Sequence, residues 1–123
     1  MVKVLLLVED DPFISSLLKV RFNSEGFTVL YAADGEAALI MLRQKKPDLV
    51  LLDLILPKKS GFEIMEAMQA DPQLNKVPII IVSNLGQDSD IARGQELGAV
   101  AYFVKAKTSI DNLIEKVNER FES

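Results

Sequence analysis

With 14 Lys and Arg against 18 Asp and Glu, the 123-residue chain has a formal charge of −4, which argues against nucleic acid as a direct partner because such binders present a basic face. It holds no cysteine and no histidine, so disulfides, thiol nucleophiles, cysteine–zinc sites and imidazole bases are excluded, and carboxylates, hydroxyls and lysine are left to carry any chemistry. Its length and its 49% hydrophobic content fit one domain over residues 1–123, built around a single core.

Lys3 to Val8 is an apolar run of strand length that ends in Glu9-Asp10-Asp11; it is too short for a membrane span or a signal peptide's apolar region, so a cytoplasmic protein is expected. Asp11-Pro12 reads as an N-cap and first helical residue, followed by Ile14, Leu17, Leu18 and Phe22 at helical spacing and a stop near Gly26. Phe27 to Ala32 reads as a second strand. Asp34-Gly35 caps a helix carrying Ala38, Leu39, Met41 and Leu42, closed by Lys45, Lys46 and Pro47. The run Asp48 to Asp53 is a third strand, apolar on both faces and ending in a carboxylate. Ser60-Gly61-Phe62-Glu63 forms a capping box for a third helix whose Ile64, Met65 and Met68 face inward. Val77 to Val82 is a β-branched fourth strand ending at Ser83-Asn84. Asp88 to Leu97 is a short, polar helix stopped by Gly98, and it is the candidate mobile element. Ala101 to Val104 is a fifth strand ending at Lys105. After a Thr108 or Ser109 cap, Ile110, Leu113, Ile114, Val117 and Phe121 form one apolar stripe of a last helix.

Five alternating strand and helix units predict an α/β fold with a parallel sheet covered by helices on both faces. In such sheets the chemistry sits at the C-terminal ends of the strands. There the pattern brings together Glu9, Asp10, Asp53, Ser83 and Lys105. Three neighbouring carboxylates repel one another unless a hard divalent cation offsets them, and Mg2+ suits an all-oxygen donor set. With the cation and Lys105 offsetting charge, Asp53 is placed to attack phosphorus and carry a phosphoryl group.

The segments Val8 to Pro12, Asp48 to Asp53 with Leu56-Pro57, Ser60 to Glu63, Ile81-Val82-Ser83 and Tyr102 to Lys105 together resemble the receiver domain of two-component response regulators. The resemblance implies a three-layer, doubly wound flavodoxin-like fold with strand order 2-1-3-4-5. It implies that Asp53 accepts a phosphoryl group from the phosphohistidine of a sensor histidine kinase or phosphotransfer protein. Glu9, Asp10, Asp53 and the main-chain carbonyl of Ile55 are the implied Mg2+ ligands. Ser83 and Lys105 are the implied phosphoryl contacts, and Ser83 and Tyr102 the implied switch. The expected output is a changed surface read by a downstream protein, from a monomer or weak dimer that is not a turnover enzyme. The expected partners include neither nucleic acid nor membrane.

Three departures from that family's pattern stand out: Asn84 replaces a small residue after Ser83, Ala106 replaces the proline after Lys105, and Ala99-Val100-Ala101 replaces an acidic pair. Without proline a cis bond costs about 2.5–4 kcal/mol, so Lys105-Ala106 is expected to be trans. Other readings fit less well. A dehalogenase-type phosphatase needs a second Asp two residues past its nucleophile, where this chain has Ile55. A flavin or nucleotide binder needs a glycine-containing loop after the first strand. A docking module that is never phosphorylated is the remaining alternative.

Overall fold

The computed structural model describes residues 3–122. Its elements are β1 (Val4–Val8), α1 (Pro12–Ser24), β2 (Thr28–Ala32), α2 (Gly35–Lys45), β3 (Leu49–Leu52), α3 (Gly61–Gln69), β4 (Ile79–Ser83), α4 (Asp88–Glu96), β5 (Ala101–Val104) and α5 (Ile110–Phe121). All strand pairs are parallel, and the order is β2-β1-β3-β4-β5, as expected.

Side chains alternate across each strand, and this splits the continuous apolar runs between two cores. Leu6, Val8, Val50, Leu52, Ile79 and Ile81 pack with Ala38, Leu42, Ile64 and Met65 from α2 and α3. Leu5, Leu7, Leu49, Leu51 and Ile80 pack with Leu18 and Phe22 of α1 and Leu113, Ile114 and Val117 of α5. On the second side Phe27 sits edge-on to Phe22 at 5.6 Å between ring centroids and tilted against Phe121 at 5.6 Å.

Local chemistry sets the helix starts. Asp11 Oδ1 accepts from the Phe13 and Ile14 N–H groups at 2.9 and 3.2 Å, and Asp34 Oδ1 from Ala37 N–H at 2.9 Å. Ser60 and Glu63 form the anticipated capping box, and Ser109, not Thr108, caps α5 through Asn112 N–H at 3.1 Å. Each cap occupies donors that a helix start leaves unpaired, worth about 1 kcal/mol. Gly61 is required by a close approach: its N–H donates to the Leu54 carbonyl at 3.0 Å, and a Cβ there would collide with the Asp53 carbonyl oxygen. The start of α3 therefore lies directly against the end of β3. Among the described residues no helix is long and apolar enough to cross a membrane.

Candidate functional site

Glu9 follows β1, Asp53 follows β3, Ser83 ends β4 and Lys105 follows β5, so strand order alone gathers them at one edge of the sheet. Three are sealed from solvent: Glu9 is 2% exposed, Asp53 5% and Ser83 0%. Lys105 Nζ lies 2.6 Å from Glu9 Oε1 and 2.7 Å from Asp53 Oδ2, tying the ends of β1, β3 and β5 together. The remaining oxygens take backbone donors. Asp53 Oδ1 accepts from Ile55 N–H at 3.2 Å and Glu9 Oε2 from Asp11 N–H at 3.1 Å. Ser83 Oγ accepts from Leu85 N–H at 3.3 Å.

Asp10 is exposed, unlike Glu9. Even so, Glu9, Asp10 and Asp53 each bring a carboxylate oxygen within 4.8 Å of the other two. The sequence singles out Asp11 as a helix cap, and that is its role; Ile55 presents an exposed side chain and its N–H to Asp53.

The electrostatics follow from this crowding. Burial pushes the Glu9 carboxyl above its ordinary value of 4.5, against the hydrogen bonds from Lys105 and Asp11 that favour its charge; the nearby Asp53 adds to the rise. Burial alone would lower the Lys105 ammonium, but its hydrogen bonds to Asp53 and Glu9 outweigh that and leave it above 10.5. One ammonium thus faces three acids, a residual negative charge that a hard divalent cation offsets. An all-carboxylate donor set suits Mg2+, which accepts one or two carboxylates, carbonyls and water. The residues present therefore fit such an ion.

Tyr102, half-buried, turns its hydroxyl to donate to the Leu85 carbonyl. Burial raises its phenol above 10.0, with the charges of Asp90 and Asp53 adding to the effect. Its ring packs against Gly94 of α4: a Cβ on Gly94 would lie 3.2 Å from Tyr102 Cδ2 and 2.7 Å from Ile81 Cδ1. The described backbone contains no cis peptide bond, so Lys105-Ala106 is trans as expected, and the chain continues there as a 3-10 turn, Lys105–Lys107. Thr108 Oγ1 secures that turn by donating to the Val104 carbonyl at 2.9 Å.

Two contributors were not singled out by the sequence reading. Tyr31 of β2 donates its hydroxyl to the Glu9 carbonyl at 2.7 Å. Arg93 of α4 lies 4.4 Å over the Phe62 ring and 3.2 Å from Glu66 Oε1, reaching α3. Tyr31 had a signal, a polar-tipped aromatic one residue from the end of a strand. Arg93 had none, because its partners are distant in sequence.

A sheet of this order with acids, hydroxyl and lysine at its C-terminal edge defines a class, and the chain matches the response regulator receiver domain over residues 5–118. The chain belongs to that family. It is 35% identical over 101 residues to the DNA-binding dual master transcriptional regulator RpaA of Synechocystis, a match covering 82% of this chain and 42% of that protein. It is 42% identical over 101 residues to the transcriptional regulatory protein CpxR of Escherichia coli, again 82% and 42% of the two chains. The match thus spans about two-fifths of the length of these relatives. Among solved structures, the Mn(2+)-bound form of response regulator Rcp1 superposes with a TM-score of 0.84 at 29% identity, covering 97% of this chain and 93% of that one.

Proposed function

We propose that this receiver domain is a phosphoacceptor, with Asp53 as the residue modified. The observation that carries this reading is the meeting of Glu9, Asp53 and Lys105 in one buried pocket, with Asp10 completing the acids within 4.8 Å. An Asp53 carboxylate oxygen attacks phosphorus, a P–O bond forms as the P–N bond of a donor phosphohistidine breaks, and the imidazole leaves with the electron pair and takes up a proton. Lys105, already on Asp53 Oδ2, balances charge on the incoming phosphoryl oxygens. Ser83 Oγ, at the end of the neighbouring strand, donates to one of them. Glu9, Asp10, Asp53 and the Ile55 carbonyl are the residues that hold Mg2+, which when bound supplies neutralisation of the phosphoryl charge. The similar Rcp1 has an Mn(2+)-bound form, which supports a divalent-ion reading for this chain.

The partners follow from that chemistry: a histidine kinase or phosphotransfer protein upstream, and a protein target downstream that reads the surface around α4 and Tyr102. When Ser83 is drawn toward the phosphoryl group, the Ser83–Leu85 contact is broken, and the carbonyl that holds Tyr102 shifts with it. The domain alters its own state and is not a turnover enzyme. RpaA is described as DNA-binding, so absence of nucleic-acid contact is proposed only for these residues, on their charge of −4.

The test is intact-mass measurement after incubation with Mg2+ and a small acyl phosphate. One phosphoryl group should add to the parent and none to Asp53→Asn, whose amide is a poor nucleophile. A parent that gains no mass favours the unphosphorylated docking module, and undiminished labelling of Asp53→Asn places the acceptor elsewhere.

A further inference from the structure

We infer that Tyr31 is a positioning residue for the acid pocket, fixing the angle at which Glu9 and Asp10 are presented to a divalent cation. The inference rests on the metal reading above and extends it to a residue outside the acids. In the sheet, Leu7 pairs with Tyr31 and Val8 with Ala32. The ladder runs one bond further, because Glu9 N–H donates to the Ala32 carbonyl at 3.1 Å. The next peptide, Glu9–Asp10, leaves the sheet, and among the described residues no strand N–H donates to its carbonyl. The Tyr31 hydroxyl takes that place, donating to the Glu9 carbonyl at 2.7 Å. Lys19 of α1, with its Nζ 4.3 Å from the ring centroid, holds the phenol from the helix side.

The consequence is geometric. A peptide is planar, so fixing the Glu9 carbonyl also fixes the direction from which the Asp10 Cα departs. On the far side Asp11 is pinned as the cap of α1 by Phe13 and Ile14 N–H. Glu9 needs little help, being buried and bound to Lys105 and Asp11 N–H. Asp10 is exposed, and the orientation of its backbone is what keeps its carboxylate within 4.8 Å of the other two. Groups that orient metal ligands from outside the coordination sphere control affinity without touching the ion.

The variant that isolates the hydroxyl is Tyr31→Phe, which keeps the ring beneath Lys19. Mn2+ affinity, read from the electron paramagnetic resonance signal of free Mn2+, should weaken about tenfold, the low end for loss of such an outer hydrogen bond. The melting temperature without metal should stay close to the parent's, since water can replace the lost donor at this half-buried position. Tyr31→Leu, which also removes the ring, should lower the metal-free melting temperature but weaken Mn2+ no further than Tyr31→Phe. Equal Mn2+ affinity for Tyr31→Phe and the parent overturns the inference and leaves the metal reading standing. So does weakening confined to Tyr31→Leu, which would make the ring's packing the cause. A parent that does not bind Mn2+ overturns the metal reading, and this inference with it.

Discussion

Helices α4 and α5 flank the same strand, β5, yet they are held in different ways. Helix α5 sinks Leu113, Ile114 and Val117 into the core shared with α1, while α4 buries Gly94 alone. What keeps α4 in place is a set of polar and aromatic ties at its surface: Arg93 on Glu66 and the Phe62 ring, and the backbone of Gly94 against Tyr102. Apolar burial is non-directional and costly to undo, whereas ties of this kind can be exchanged for others at little cost. The fold thus makes one neighbour of β5 structural and holds the other by exchangeable ties, which suits α4 to the responsive role proposed for it above.

The comparison breaks most clearly in the core. Leu113→Ala should cost about 2–5 kcal/mol, the range for deleting a buried leucine, while Ile91→Ala in the half-buried stripe of α4 should cost below about 1 kcal/mol; denaturant unfolding of the two variants measures the contrast. A smaller effect is expected at Gly94. Gly94→Ala forces its methyl against Ile81 and the Tyr102 ring, and overpacking of about 1–3 kcal/mol is partly offset by about 1 kcal/mol of helix propensity. The ring is then driven outward, away from the Leu85 carbonyl.

That displacement has a pH signature. Because the folded-state pKa of Tyr102 is raised, chiefly by burial, its contribution to stability is complete below its ordinary value of 10.0 and is lost as pH rises through the raised value. Expelling the ring should move its ultraviolet titration back toward 10.0, read as a difference against Tyr102→Phe, and an unmoved titration would show that the ring stays in. The smallest effect belongs to Arg93→Ala. Its ion pair is more than half exposed on both sides, so a loss of about 0.5–1 kcal/mol is expected, with the stacking on Phe62 as its main part. Hydrogen exchange should nonetheless quicken in α4 and not in α5, which sharpens the contrast between global and local stability.

How much of this was legible beforehand depends on whether the cause is local. Asp11, Asp34 and Ser60 announce helix starts because a cap needs only neighbouring residues, and the apolar runs ending in Glu9 and Asp53 announce buried strands. Strand order has no such local signal; it came from the resemblance to a family and is what gathers Glu9, Asp53, Ser83 and Lys105. The reading of Lys105 as a phosphoryl contact missed its bond to Glu9, because the reach of two side chains across the ends of β3 and β4 cannot be read from spacing. The 3-10 turn after Lys105 was hidden for a related reason. Losing a proline says what the loop no longer needs, and says nothing of the turn that replaces it. Asp48 shows the same limit: it reads as the first residue of a strand, but its carboxylate accepts from Val4 N–H at 2.7 Å and ties β1 to β3 at the opposite edge.

The chain contains no tryptophan and only two tyrosines, and each of those phenols donates to a carbonyl in a loop bordering the acid pocket, Tyr31 to Glu9 and Tyr102 to Leu85. Its near-ultraviolet fluorescence therefore originates almost entirely from two reporters on opposite sides of one site, on β2 and β5 at the two ends of the strand order. The protein carries its own probes: removing either phenol leaves emission from the other, so the acid loop and the α4 side can be followed separately in solution without a label.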